Sequence, residues 1–239
     1  MNNVVIHDTL EVFINDTSAN KTYFFGLTDK ANVTQSVKQD VLRSGIGSKV
    51  IAVLQSEKNI EFGVTTTLHN DDIYSIQSGS DFTTSTITVQ KTESGKLTSG
   101  KIEITGTPKG GTVIVMDNTG KTITGTFATG EVSVTGGVEG TMYDVIYSED
   151  ETNAQVLDLN STAFPKNYSV QLHGIGYDPD KNTIVCDIYW LFDKAMPDGA
   201  FNFQGEKGGS PSSDEIKFTA QTPTGSNSYG KYVVVPRVA

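Results

Sequence analysis

Few stretches of this 239-residue chain hold residue types that could do chemistry at a useful spacing. Gly95-Lys96-Leu97-Thr98-Ser99-Gly100-Lys101 begins as a phosphate-binding loop does, with glycines to free the backbone and a lysine to meet phosphate. The next residue is Ile102, where a Ser or Thr hydroxyl must reach magnesium, and no helix follows to aim its dipole at an anion. A hairpin turn is the expected reading. Asp178-Pro179-Asp180-Lys181-Asn182 opens like a calcium loop with oxygen donors at alternate positions. Thr183 then stands where the sharp bend needs Gly, and Tyr189 where a bidentate Glu belongs, so this too reads as a turn between strands.

His7, His69 and His173 sit in unrelated contexts, without the i, i+4 spacing of a zinc helix. Cys186 is the single cysteine, which excludes an intramolecular disulfide and a cysteine metal cluster. In the run Thr183-Ile184-Val185-Cys186-Asp187-Ile188-Tyr189-Trp190 it reads as a small buried hydrophobe. No Gly-x-Ser-x-Gly elbow is present. Two carboxylates remote in sequence can still meet in space, so paired-carboxylate chemistry is the one class that spacing leaves open. The expectation is a protein that is no enzyme, with no catalytic residue, no cofactor and no metal.

The elements around these motifs read as short strands. With 36% hydrophobic residues, 24 glycines and abundant Thr and Ser, the composition suits strands exposed on one face, and the fold class expected is mainly β. Residues 10–14 and 22–27 read as strands joined by Asn15-Asp16-Thr17-Ser18-Ala19-Asn20. Residues 31–40 are polar and lead into the glycine-bearing segment Arg43, Ser44, Gly45, Ile46, Gly47, Ser48 and Lys49, which reads as a flexible loop. Residues 50–54 and 60–64 read as a hairpin turning at Ser56-Glu57-Lys58-Asn59. A short helix follows: Asn70 caps it, Asp71 and Asp72 complement its dipole, Ile73 and Ile76 share its inner face next to Tyr74, and Gly79 closes it.

Between about residues 85 and 153 the chain offers strands of five or six residues at regular spacing, with the Asp117-Asn118-Thr119-Gly120 turn among them. This pattern resembles bacterial immunoglobulin-like modules, with Asp150-Glu151-Thr152-Asn153 as a polar exit. A competing reading makes the same strands an enlargement of a larger barrel. The net charge of −10, from 28 acidic against 18 basic residues, argues against a surface built to neutralise phosphates. No apolar run reaches the roughly 20 residues that span a bilayer. Met1-Asn2-Asn3 does not open a Sec signal, so synthesis in the cytoplasm of a host is expected.

The wording of residues 42–79 resembles the major tail tube proteins of tailed bacteriophages, particularly those of Gram-positive hosts. The likeness continues through Phe164-Pro165-Lys166-Asn167-Tyr168, the turn after Tyr177, Phe192-Asp193-Lys194-Ala195-Met196-Pro197-Asp198-Gly199-Ala200-Phe201-Asn202-Phe203, and Glu215-Ile216-Lys217-Phe218-Thr219-Ala220.

The resemblance implies a tail-tube-type β-sandwich or barrel with one short flanking helix, formed by residues 1–84 and 154–239, interrupted by an Ig-like β-sandwich module at 85–153. It implies hexameric rings stacked into a hollow tube in the virion, a conduit for DNA ejection. Expected partners are other copies of the chain, a tape measure protein in the lumen, baseplate or initiator and terminator proteins, and DNA in non-specific transit, with no membrane. Residues 30–49 become the expected intersubunit element. An adhesin or carbohydrate-binding β-protein, and a tail terminator that forms one ring and stops, are the competing functions.

Overall fold

The computed structural model describes residues 4–6, 10–26, 28–181, 183–203 and 213–237. In chain order the strands are β1 (Val5–Ile6), β2 (Glu11–Asp16), β3 (Lys21–Phe25), β4 (Lys30–Ser44) and β5 (Lys49–Thr66), followed by helix α1 (Asp71–Ser78). Then come β6 (Thr83–Lys96), β7 (Lys101–Glu103), β8 (Thr112–Met116), β9 (Thr122–Ala128), β10 (Glu131–Val134) and β11 (Met142–Val156). The chain ends with β12 (Tyr168–Asp178), β13 (Thr183–Pro197), β14 (Asp214–Ala220) and β15 (Lys231–Pro236). The protein is mainly β, with two sheets and one helix among the described residues. It divides into two compact units, one of Met1–Asp81 with Asp158–Ala239 and one of Phe82–Leu157.

The first unit is built on an antiparallel sheet of order β3-β2-β12-β13-β14-β5-β4, with β1 added beside β12 and β15 beside β13. Strict alternation along β2, β12 and β14 sends every second side chain to one face, as the two-residue period of a strand requires. That face is the core: Val12, Ile14, Val170, Leu172, Ile216 and Phe218 are all buried there. Phe62 lies between Phe192 and Phe218, with ring centroids 4.4 and 5.1 Å away.

Helix α1 closes part of this core with Ile73 and Ile76. Its start is fixed by the Asn70 side chain, which accepts the Asp72 N–H at 2.9 Å. Its end is fixed by Gly79 at φ 73°, whose N–H donates to the Ser75 carbonyl at 3.0 Å. The helix is tied to the sheet by Tyr74, whose hydroxyl donates to Asp214 at the head of β14 at 2.9 Å. Gln77 holds the other end by accepting the Gly199 N–H at 2.9 Å.

Several local expectations are corrected. Residues 50–64 form no hairpin, because β5 runs unbroken through Ser56-Glu57-Lys58-Asn59. The polar residues 31–40 and the first two residues of the expected flexible loop, Arg43 and Ser44, belong to β4, which pairs along its length with β5, and Lys49 opens β5. The chain reverses at 45–48 instead, where Gly45 and Gly47 take φ 78° and 86°. Polar turn-formers at 56–59 persist in a strand because both faces of that segment meet water, so nothing there demands apolar alternation. β15 forms where the sequence reading places no strand. The expected strand at 22–27 ends at Phe25, and Leu27 lies outside the described residues, as do Asn182 and His7.

The second unit is a six-stranded antiparallel sheet of order β6-β11-β8-β9-β10-β7. It wraps a core of its own, in which Ile102, Val115, Val132, Val145 and Tyr147 are buried. β6 and β11, with 14 and 15 residues, exceed the expected five or six, and the segment 150–153 is no polar exit but continues β11 through a bulge. The ladder between them continues outward to Thr83 opposite Val156. Glu93 pins the corner at 105–106, accepting the N–H groups of Thr105 and Gly106, each at 2.8 Å, and the hydroxyl of Tyr147.

Candidate assembly surface

Beyond the core, β4 and β5 continue as a two-stranded ribbon. Ile60 is the last β5 residue packed against the core, and β5 begins about eleven residues farther out at Lys49, roughly 36 Å at the ~3.3 Å rise of a strand. Cross-strand partners share a face, so Val41 with Val53 occupies one face and Leu42 with Ala52 the other. Val41, Leu42, Val50, Ile51, Val53 and Leu54 are all exposed, and Ile46 at the tip is 99% exposed. The ribbon is therefore apolar on both sides. Arg43, Ser44, Gly45, Ile46, Gly47, Ser48 and Lys49 make up its tip, where the Arg43 guanidinium donates to the Ser48 carbonyl at 3.2 Å.

A second apolar surface gathers at helix α1. Tyr74 packs edge-on against Phe201 at 5.3 Å, His69 lies 5.3 Å from Tyr74, and Phe203 meets His69 edge-on at 6.3 Å. Leu68 is 54% and Phe203 73% exposed. Asp71 and Asp72 border the cluster, the first against His69 at 3.0 Å and the second against Lys21 at 3.5 Å. Burial, then the Asp214 carboxylate, pushes the Tyr74 phenol up to about 12, so it stays a hydrogen-bond donor. Of the residues singled out from sequence, Asn70 caps the helix and Asp71, Asp72, Ile73, Tyr74 and Ile76 fall within it, on an inner and an outer side. Leu68, Phe201 and Phe203 carry no sequence signal as a site, because only the fold brings them together.

The chemical motifs resolve into structure. In the phosphate-loop look-alike, the N–H groups of Ser99 and Gly100 already donate to the Glu139 carboxylate, at 2.9 and 2.6 Å. The chain supplies its own anion where a phosphate would sit. Asp178 accepts the N–H groups of Asp180 and Lys181, an Asx turn. Cys186 is buried in β13. Among the described residues, no group of three or more His, Cys, Asp and Glu converges on a metal position.

His173 is the most elaborated polar site. Its Nδ1 lies 2.8 Å from Glu11 and its Nε2 2.9 Å from Asp187, with Tyr189 stacked 4.7 Å away. Arg237 holds Asp187 through two bonds of 2.8 and 2.7 Å. Burial alone would lower the His173 pKa, but hydrogen bonds to Glu11 and Asp187 outweigh it and the value is raised. Asp187 is held well below the usual carboxylate range, first by Arg237 and then by His173. Both ring nitrogens are occupied by carboxylates on opposite sides, so the arrangement locks strands together and presents no free base.

The geometry therefore offers surfaces for contact. A family model described as the YomU/Tube protein family matches residues 4–235. The chain belongs to the YomU/Tube family. This YomU/Tube protein is 27% identical over 234 residues to a protein named tail tube protein of Bacillus phage SPR, an alignment covering 92% of this chain and 84% of that relative. Over 90 residues, 38% of this chain and 34% of the relative, it is 30% identical to the SPbeta prophage-derived uncharacterized protein YomU of Bacillus subtilis strain 168. The YomU/Tube protein is structural and not an enzyme. No helix among its described residues is long and apolar enough to cross a membrane.

Proposed function

We propose that the chain is the subunit of a phage tail tube, assembling as hexameric rings that stack into a hollow conduit for DNA ejection. The observation that carries this reading is the β4–β5 ribbon. An isolated two-stranded ribbon is at best marginally stable in water, and one apolar on both faces leaves a patch that monomers rarely expose. Other copies of the chain would cover both faces, which is the work the tip residues 43–49 do in this proposal. The outer edges of β3 and β4, which pair with no further strand among the described residues, support the same reading.

In the virion the tube would enclose a tape measure protein during assembly and meet initiator or baseplate proteins and a terminator at its ends. The Phe82–Leu157 unit is read as the Ig-like module of the subunit. The adhesin alternative draws no support from this unit: Tyr143 and Tyr147 are buried and Phe127 packs against the core, so these rings form no exposed platform for sugars.

Light scattering and negative-stain microscopy of the purified protein test the proposal, alone and with initiator and tape measure proteins supplied. Sixfold rings and tubes are expected. Single rings that never stack would move the assignment to a terminator, and a folded species that stays monomeric under every condition would remove the tube reading.

A further inference from the structure

The ribbon and the helix-side aromatic cluster are two different apolar surfaces of one chain, and their borders differ in charge: the ribbon has more bases than acids, and the cluster has two carboxylates at its edge, one of them shared with Lys21. From residue 36 to 59 the ribbon holds Lys38, Arg43, Lys49 and Lys58 against Asp40 and Glu57, a basic stretch in a chain of net charge −10. The cluster is bordered by Asp71 and Asp72, with side chains 63% and 46% exposed. It presents rings, the side chains that most often anchor contacts. Its exposed members are His69, Phe201 and Phe203, with exposed Leu68 next to His69 in the chain.

Resting on the tube reading, we infer that the cluster beside α1 is the receptor for the ribbon tip of a second copy. Leu42, Ile46 and Val50, from the tip and one face of the ribbon, seat on Leu68, Phe201 and Phe203, while Arg43 and Lys49 face Asp71 and Asp72. Complementary charge sets the register of such a contact, and apolar burial supplies its strength. Because donor and receptor are distinct patches, the contact is head-to-tail: each copy that uses its ribbon still offers its cluster. Such contacts propagate from copy to copy, closing rings or extending rods, where a self-complementary patch would stop at a dimer.

The test mixes two single-cysteine variants, Ile46→Cys and Phe203→Cys, under assembly conditions with mild oxidant. The native Cys186 is buried and does not compete. The inference expects a disulfide-linked dimer in the mixture and none in either variant alone. Phe203→Asp is expected to abolish assembly while retaining the wild-type far-UV spectrum, and Arg43→Asp to lose assembly and regain it with Asp71→Arg. If tubes form normally from Phe203→Asp and the mixed cysteines stay unlinked, the receptor lies elsewhere and the inference falls while the tube reading stands. If the unmodified protein never assembles, both fall together.

Discussion

Thr83 and Val156 stand opposite one another as the outermost pair of the β6–β11 ladder. The chain thus enters and leaves the second unit through hydrogen-bonded neighbours. Replacing residues 83–156 with a short Gly-Ser linker is expected to leave the rest folded and competent to assemble, because the linker spans adjacent ends. Circular dichroism and microscopy of the deletion variant check this. Loss of assembly by a folded variant would mean that these strands belong to the subunit interface.

Phe62 is 1% exposed between two stacked rings. Phe62→Ala removes the middle of that stack and leaves a cavity, so a loss of about 3–5 kcal/mol is expected. Urea denaturation measures it. A loss under about 1 kcal/mol would mean that the surrounding sheet collapses into the space.

At Gly79 two demands coincide. Its φ of 73° is strained for any residue with a Cβ, and that Cβ would come within 2.1 Å of the Phe164 carbonyl oxygen. Gly79→Ala should destabilise by more than about 1 kcal/mol. Thermal melting of the variant beside an exposed control such as Gly225→Ala separates the clash from backbone strain, since Gly225 also has positive φ but open space around it.

Two groups tilt stability in opposite pH windows. The N–H of Thr105 and then the Tyr147 hydroxyl pull Glu93 down from 4.5 to about 2, so its contribution is present above pH 4.5 and is lost as pH falls toward 2. His173 has a raised pKa, so its contribution is full below its ordinary 6.5 and is lost as pH climbs through the elevated value. Melting temperatures across pH should fall less steeply on the acid side in Glu93→Gln and less steeply above neutrality in His173→Gln. Unchanged slopes would deny the groups these roles.

A tube that passes DNA must not hold it, since each phosphate met by Lys or Arg releases counterions and strengthens binding. Assembled tubes of this acidic chain are expected to bind duplex DNA weakly even at low salt, as read by fluorescence anisotropy. Submicromolar binding at physiological salt would contradict the conduit.

Where one face of a segment is buried, the sequence discloses it. The alternation of β2 and β14, the Asn70 cap and the Gly79 stop are all local signals that tertiary packing has no reason to override. The ribbon is illegible for the opposite reason: with both faces in solvent, residues 56–59 keep turn-forming side chains inside a strand, and Gly45 and Gly47 are the local signal of the true reversal. The Tyr232-Val233-Val234-Val235 run does carry β-forming side chains, but its place beside β13 depends on pairing Tyr232 with Trp190 and Val235 with Asp187, partners remote in sequence. The aromatic cluster is less visible still, since His69 and Phe203, far apart in sequence, meet only in the folded chain.

The adjacency of Thr83 and Val156 also bears on descent. A segment whose two junctions coincide in space can be gained, lost or exchanged between genomes in a single in-frame recombination, with neither end of the core having to move. Selection can then act on the Phe82–Leu157 unit at one pace and on the surfaces that build the tube at another, so divergence concentrated between the junctions is the pattern such a lineage would leave.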